Sequence, residues 1–85
     1  MKDIVIYSSA YCPYCIMAKE LLESKNVKYK ELRIDEKFEY AKESVKKSGG
    51  RKTVPQIFIG DYHVGGYDDL YAMDQEGKLD PLLTG

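Results

Sequence analysis

Two short stretches present apolar side chains to both faces of an extended backbone: Ile4-Val5-Ile6-Tyr7 and Gln56-Ile57-Phe58-Ile59. Each reads as an interior strand covered on both sides, because a strand with one wet face alternates instead. Between them the period changes. Cys15, Met17, Ala18, Leu21 and Leu22 follow helical spacing and predict a helix from about Pro13 to Lys25, with Asn26 as terminator. Val27 to Ile34 reads as a second strand whose Lys and Glu content suits a sheet edge. A second helix follows, capped by Asp35 and burying Phe38, Ala41 and Val45; Lys46 and Lys47 favour its negative end and Gly49-Gly50 stops it. After Ile59, Gly60-Asp61 predicts a tight turn into a short strand at Tyr62 to Val64. A last helix is expected from about Asp68 to Gln75 with Leu70, Tyr71 and Met73 in the core, and Leu79, Leu82 and Leu83 place a short docked turn in the Gly77 to Gly85 tail.

The order β-α-β-α-β-β-α is an α/β pattern. A parallel pair joined by a crossover and followed by a hairpin makes a four-stranded mixed sheet flanked by helices. At 85 residues the expectation is a single domain over 1–85. The net charge of −1 and the interspersed lysines and acids argue against nucleic acid or an anionic membrane as the main partner. No window is apolar for a membrane-spanning length, and Met1-Lys2-Asp3 leads into a strand rather than a secretory leader. The expectation is a cytoplasmic monomer.

Both cysteines of the chain lie in Tyr11-Cys12-Pro13-Tyr14-Cys15, where the first strand gives way to the first helix. The loop that they would close is too short to restrict the unfolded chain, so a disulfide there serves chemistry rather than stability. Pro13 fits the first helical turn, where a missing N–H costs nothing. Cys12 then occupies the N-cap, and its sulfur can accept from the N–H groups of Tyr14 and Cys15. A free thiol ionises near 8.5, so holding it as thiolate at neutral pH takes a drop of about two units, roughly 2.7 kcal/mol. A helix dipole supplies roughly 0.3–2 kcal/mol and a hydrogen bond to a charged group about 1.5–3, so the two together suffice. Cys12 is the expected nucleophile and Cys15, one turn further in, the resolving thiol. Redox chemistry is read ahead of the alternatives, a pair of buried cysteines or half of a metal site.

Two further segments bear on the site. Val54-Pro55 precedes the second interior strand; a cis bond there would leave the Val54 N–H and C=O facing the Cys12 loop, free to pair with an extended peptide, whereas the plain reading is a proline that starts a strand. Gly65-Gly66 before a helix leaves N–H groups at Tyr67 and Asp68 for an anion, and Asp68 or Asp69 as an N-cap is the compatible plain reading. Tyr14 is placed as a partly exposed ring beside the cysteines. His63 reads as a surface strand residue without a role, and Tyr29, Tyr40, Tyr62 and Tyr71 as packing.

Cys12-Pro13-Tyr14-Cys15, Thr53-Val54-Pro55 and Gly65-Gly66-Tyr67-Asp68-Asp69-Leu70, in this order and spacing, make the chain resemble a glutaredoxin of the small bacterial dithiol class. The resemblance covers nearly the whole length. It implies a thioredoxin-like fold, a cis Val54–Pro55 bond and glutathione-dependent reduction of protein–glutathione mixed disulfides and protein disulfides. It implies a glutathione site at Tyr14, Thr53, Val54, Pro55, Gly66, Tyr67 and Asp68: the Val54 backbone pairs with the glutathione cysteine, the Gly66 turn takes the γ-glutamyl carboxylate, and an Asp takes its ammonium. Glutathione is then a co-substrate, with no tightly bound cofactor and no metal, and a potential of roughly −200 to −230 mV suits exchange with it. The implied clients are glutathionylated or disulfide-containing proteins, with ribonucleotide reductase a candidate. One position departs from the family pattern. Glutaredoxins commonly carry a lysine three residues before the first cysteine, where this chain has Ser9; Arg51 or Lys52 could compensate toward the glutathione glycine carboxylate. Two alternatives are a redoxin reduced by a flavoprotein reductase and an iron–sulfur carrier bridged through Cys12 and glutathione.

Overall fold

The computed structural model describes residues 3–84. Met1-Lys2, on which the expectation about a leader rests, and Gly85 lie outside them. In chain order the elements are β1 (Ile4–Ser8), α1 (Pro13–Ser24), β2 (Lys30–Arg33), α2 (Phe38–Lys47), β3 (Gln56–Ile59), β4 (Tyr62–Gly65), α3 (Tyr67–Gln75) and α4 (Leu79–Thr84). The four strands form one mixed sheet in the order β2-β1-β3-β4, with β1 parallel to β2 and antiparallel to β3, and β3 antiparallel to β4. This is the thioredoxin-like architecture expected, with the Lys- and Glu-rich β2 at an edge. The tail forms a short helix, α4, whose Leu79 and Leu83 are buried.

The alternation of the interior strands divides their side chains between two layers. Ile4 and Ile6 of β1, with Ile57 and Ile59 of β3, meet Ala18 and Leu22 of α1, Leu70 of α3, and Leu79 and Leu83 of α4 in the main core. On the other face Tyr7 and Phe58 join Leu32 in a smaller cluster, with Val5, Ile34 and Tyr40 packed against it. Asn26 takes a positive φ of 58° as α1 ends. Lys25, beyond its last turn, reaches Asp74 of α3 at 2.6 Å and Asp80 of α4 at 3.1 Å. Among the described residues no helix is long and apolar enough to cross a membrane.

Three expectations are corrected. Asp35 does not cap α2: Lys37 is the N-cap, and the Asp35 carboxylate is taken by Arg33 through bonds of 2.8 and 2.7 Å. The face that α2 turns to the sheet is not Phe38-Ala41-Val45. Phe38 is 71% exposed, whereas Tyr40 packs on the small cluster and Ser44 is buried. Tyr40, Ser44 and Ser48 share the helical spacing of the apolar set, so periodicity alone does not separate the two stripes. The Tyr7 hydroxyl decides between them: under α2 it requires an acceptor, and Glu43 supplies one at 3.2 Å. Tyr71 is also exposed rather than in the core, while Leu70 is buried and Met73 half-buried against it.

Candidate active site

β1 ends at Ser8 and delivers Cys12 to the start of α1. Cys12 is extended (φ −123°, ψ 102°) and is the N-cap, Pro13 opens the helix, and the Cys15 N–H donates to the Cys12 sulfur at 3.2 Å. The Cys15 N–H makes this bond, rather than both N–H groups expected to. Cys12 keeps 9% of its surface and Cys15 none. Burial pushes the Cys15 thiol up to about 12, the hydrogen bond and charge of Cys12 add to the rise, and the Ser9 backbone and the Lys19 charge oppose it. Cys15 therefore holds its proton at neutral pH in the reduced chain.

The loop before β3 closes over the cysteines. Val54–Pro55 is cis, and the Val54 carbonyl oxygen lies 3.7 Å from the Cys12 sulfur. A groove of about 150 Å³ opens beside it, lined by Arg51, Thr53, Val54 and Pro55 from this loop, Gly66, Tyr67, Asp68 and Asp69 from the start of α3, and Tyr14 from the first turn of α1. The fold thus gathers into one groove the seven residues for which a glutathione role was expected, together with Arg51. Lys52 is exposed and does not line it. Tyr14 stacks on Tyr67 (centroids 6.4 Å, 27° between planes), and Tyr67 leans on Tyr71 at 6.0 Å.

At the α3 end, neither Asp68 nor Asp69 is the N-cap. Gly66 is, and Asp69, three residues on, reaches back to accept from the Gly66 N–H at 3.0 Å. The Arg51 guanidinium lies 3.9 Å from the same Asp69 oxygen. Gly65 sits at φ 114°, where a Cβ would strike the Asp69 carboxylate and come within 3.1 Å of Arg51.

Sequence reasoning missed a hydrogen-bonded chain behind the groove. The Gln56 side chain, fully buried, donates to the Thr53 carbonyl at 3.0 Å and to the Thr53 hydroxyl at 3.2 Å, and its oxygen lies 2.8 Å from His63 Nε2. His63 is half-buried and stacks on Phe58 with centroids 4.6 Å apart, so it is not the idle surface residue expected. Burial and then the Arg51 charge hold its imidazole below the ordinary value, with Asp69 pulling the other way. The signal was available in Gln56, an amide in an interior strand, which must find partners when buried. A second cluster, Ser8-Glu31-Lys19, was also missed; it joins side chains from β1, β2 and α1.

The glutaredoxin family profile matches residues 4–64. Glutaredoxin 1 of Rickettsia felis is 55% identical over 86 residues, covering 100% of this chain and 84% of the relative. The chain belongs to the glutaredoxin family. Its structure matches the solution structure of glutaredoxin from Brucella melitensis with a TM-score of 0.84 at 51% identity, over 98% of this chain and 89% of that one. It matches a buckwheat glutaredoxin–glutathione complex with a TM-score of 0.87 at 32% identity, over 98% and 77%. Glutaredoxins are glutathione-dependent thiol–disulfide oxidoreductases that use glutathione as co-substrate, and this chain is an enzyme of that class. The alternatives of an iron–sulfur carrier and a flavoprotein-reduced redoxin are not favoured.

Proposed function

We propose that Cys12 is the attacking thiol and Cys15 the resolving thiol of this oxidoreductase, and that the groove between the Val54 loop and α3 holds glutathione. The observation that carries the reading is the convergence of the Cys12 sulfur, the Val54 carbonyl and the Gly66 turn on that groove. Cys12 thiolate attacks the glutathione sulfur of a glutathionylated protein; the S–S bond breaks and the protein thiolate departs with the electron pair. A second glutathione thiolate attacks the sulfur of the bound glutathione, which frees Cys12 and yields oxidised glutathione. On a protein disulfide, Cys15 displaces the client from Cys12, and glutathione then reduces the Cys12–Cys15 bond.

Docking follows from the groove's chemistry. The Val54 backbone meets the glutathione cysteine, as in one-residue strand addition, with Thr53 and Pro55 beside it and Tyr14 against its outer side. The N–H groups of Tyr67 and Asp68 face the γ-glutamyl carboxylate at the start of α3, and the Asp68 carboxylate takes the ammonium. Arg51, rather than Lys52, meets the glycine carboxylate in place of the family lysine that Ser9 replaces. The buckwheat complex, named for its glutathione, supports glutathione as a partner. Glutathionylated and disulfide-bonded proteins of the cytoplasm are the clients in this reading, ribonucleotide reductase being one to test. A coupled assay decides it: reduction of a glutathionylated protein should proceed with glutathione and its reductase and fail with a thioredoxin-type flavoprotein reductase. The reverse result would overturn it.

A further inference from the structure

A cluster that joins β1, β2 and α1 is left without a task by the steps above. Ser8, fully buried at the end of β1, donates its hydroxyl to a Glu31 carboxylate oxygen at 2.5 Å, and the same oxygen receives the Lys19 ammonium at 2.9 Å. Burial alone would raise the Glu31 carboxyl, but the Ser8 hydroxyl and the Lys19 ammonium bring it below its ordinary value, so it stays ionised and keeps hold of Lys19 at neutral pH. Lys19 follows Cys15 by four residues on α1, which sets the two side chains on one face, a turn apart. The Ser9 backbone, next to Ser8, acts on Cys15 in the same direction as the Lys19 charge, toward the thiolate. The end of β1 therefore reaches α1 through Ser8, Glu31 and Lys19, one turn from Cys15.

We propose that Lys19 is a positioning residue for the second thiol: Glu31 and Ser8 hold its ammonium where it favours the Cys15 thiolate during release of a client from Cys12. This rests on the reading of Cys12 and Cys15 as attacking and resolving thiols. In the reduced chain the hydrogen bond and charge of Cys12 add to burial in keeping Cys15 protonated. Once the Cys12 sulfur is tied up in a mixed disulfide it carries no charge, and both of those contributions end. What then acts against burial is the Ser9 backbone and the Lys19 ammonium. In the step itself Cys15 sulfur bonds to Cys12 sulfur, and the bond from Cys12 to the client sulfur breaks. The client leaves as thiolate with the electron pair and takes up a proton in place of the one that Cys15 gave up. The client is reduced and the cysteine pair oxidised, so no outside oxidant is needed.

The test isolates that step. Cys12 is loaded as a mixed disulfide with thionitrobenzoate, and its release by Cys15 is followed by colour in a single turnover. Lys19→Met keeps the length of the side chain and removes its charge. If Cys15 rises by about one unit, thiolate falls tenfold, but each thiolate is a better nucleophile, so release slows about threefold. Lys19→Arg restores the wild-type rate, and high salt narrows the gap between wild type and Lys19→Met. Glu31→Gln separates charge from scaffolding: it loosens the hold on Lys19 but leaves the ammonium, so release slows by less than in Lys19→Met. Wild-type release from Lys19→Met overturns the proposal, as does equal slowing by Glu31→Gln, which would make the pair a structural brace. Release from Cys15→Ser at the wild-type rate would instead overturn the role given to Cys15.

Discussion

The Cys15 backbone N–H donates to the Cys12 sulfur at 3.2 Å, so the thiol proposed to attack caps the helix that carries the thiol proposed to resolve. The bond comes from the backbone of Cys15, and a change of its side chain leaves it available. Cys12→Ser should therefore abolish all activity, while Cys15→Ser keeps deglutathionylation and loses most reduction of protein disulfides. Parallel assays on a glutathionylated protein and a disulfide-bonded one check this. Equal loss of deglutathionylation in both variants would overturn the assignment.

Arg51 and Lys52 are neighbours in the chain but not at the groove. A hydrogen bond between charged groups contributes about 1.5–3 kcal/mol, and the half-exposed Arg51 belongs at the low end. Arg51→Ala should raise KM for glutathione about tenfold, whereas Lys52→Ala leaves it within about twofold. Ser9→Lys, which restores the family lysine, should lower KM several-fold in the Arg51→Ala background. Glutathione titrations of the three variants decide it, and a larger effect from Lys52 would transfer the contact.

Gly65 is held at φ 114° with Asp69 and Arg51 against the position of a Cβ. Gly65→Ala meets both backbone strain and the two side chains that shape the α3 end of the groove. Stability should drop by about 1–3 kcal/mol and glutathione binding should weaken beyond what Arg51→Ala produces. Urea midpoints and KM measured together test both, and an unchanged KM would place the Asp69–Arg51 pair outside glutathione recognition.

His63 carries a pH dependence whose sign follows from its environment. Burial and Arg51 lower its folded value from 6.5, so the unfolded chain binds the proton more readily. Its contribution is complete above about 6.5 and is lost as pH falls through the lower folded value. His63→Phe keeps a ring against Phe58 but strands the Gln56 oxygen, so it should be less stable at neutral pH by about 1–3 kcal/mol. Its stability should also fall less than that of wild type between about pH 7 and 5. An equal loss of stability in urea denaturation between the two pH values for His63→Phe and wild type would remove the imidazole as the source.

Short-range features were legible along the chain. The strand that meets Cys12-Pro13-Tyr14-Cys15 at a helix start, the Asn26 stop, the Gly60-Asp61 turn and the start of α3 within one residue each depend on a few neighbours and on backbone geometry that one residue type allows. The motifs of the groove were legible for the same reason, since each is a contiguous run. What needed the tertiary structure was the choice between side chains that satisfy the same local rule. Tyr40 and Phe38 both lie on helical stripes of α2, and only the buried Tyr7 hydroxyl, from β1, selects the stripe that brings Glu43. Asp35 suits an N-cap, but Arg33 competes for it. Gln56 announces that it needs partners, but the partners are His63 across the hairpin and Thr53 across the bend of the Val54 loop. Lys19, Glu31 and Ser8 look like ordinary residues of three elements until the packed sheet and helix bring them together. A polar group reveals in the sequence that burial will oblige it to bond, but which atom answers depends on distances that exist only once the sheet and helices have packed.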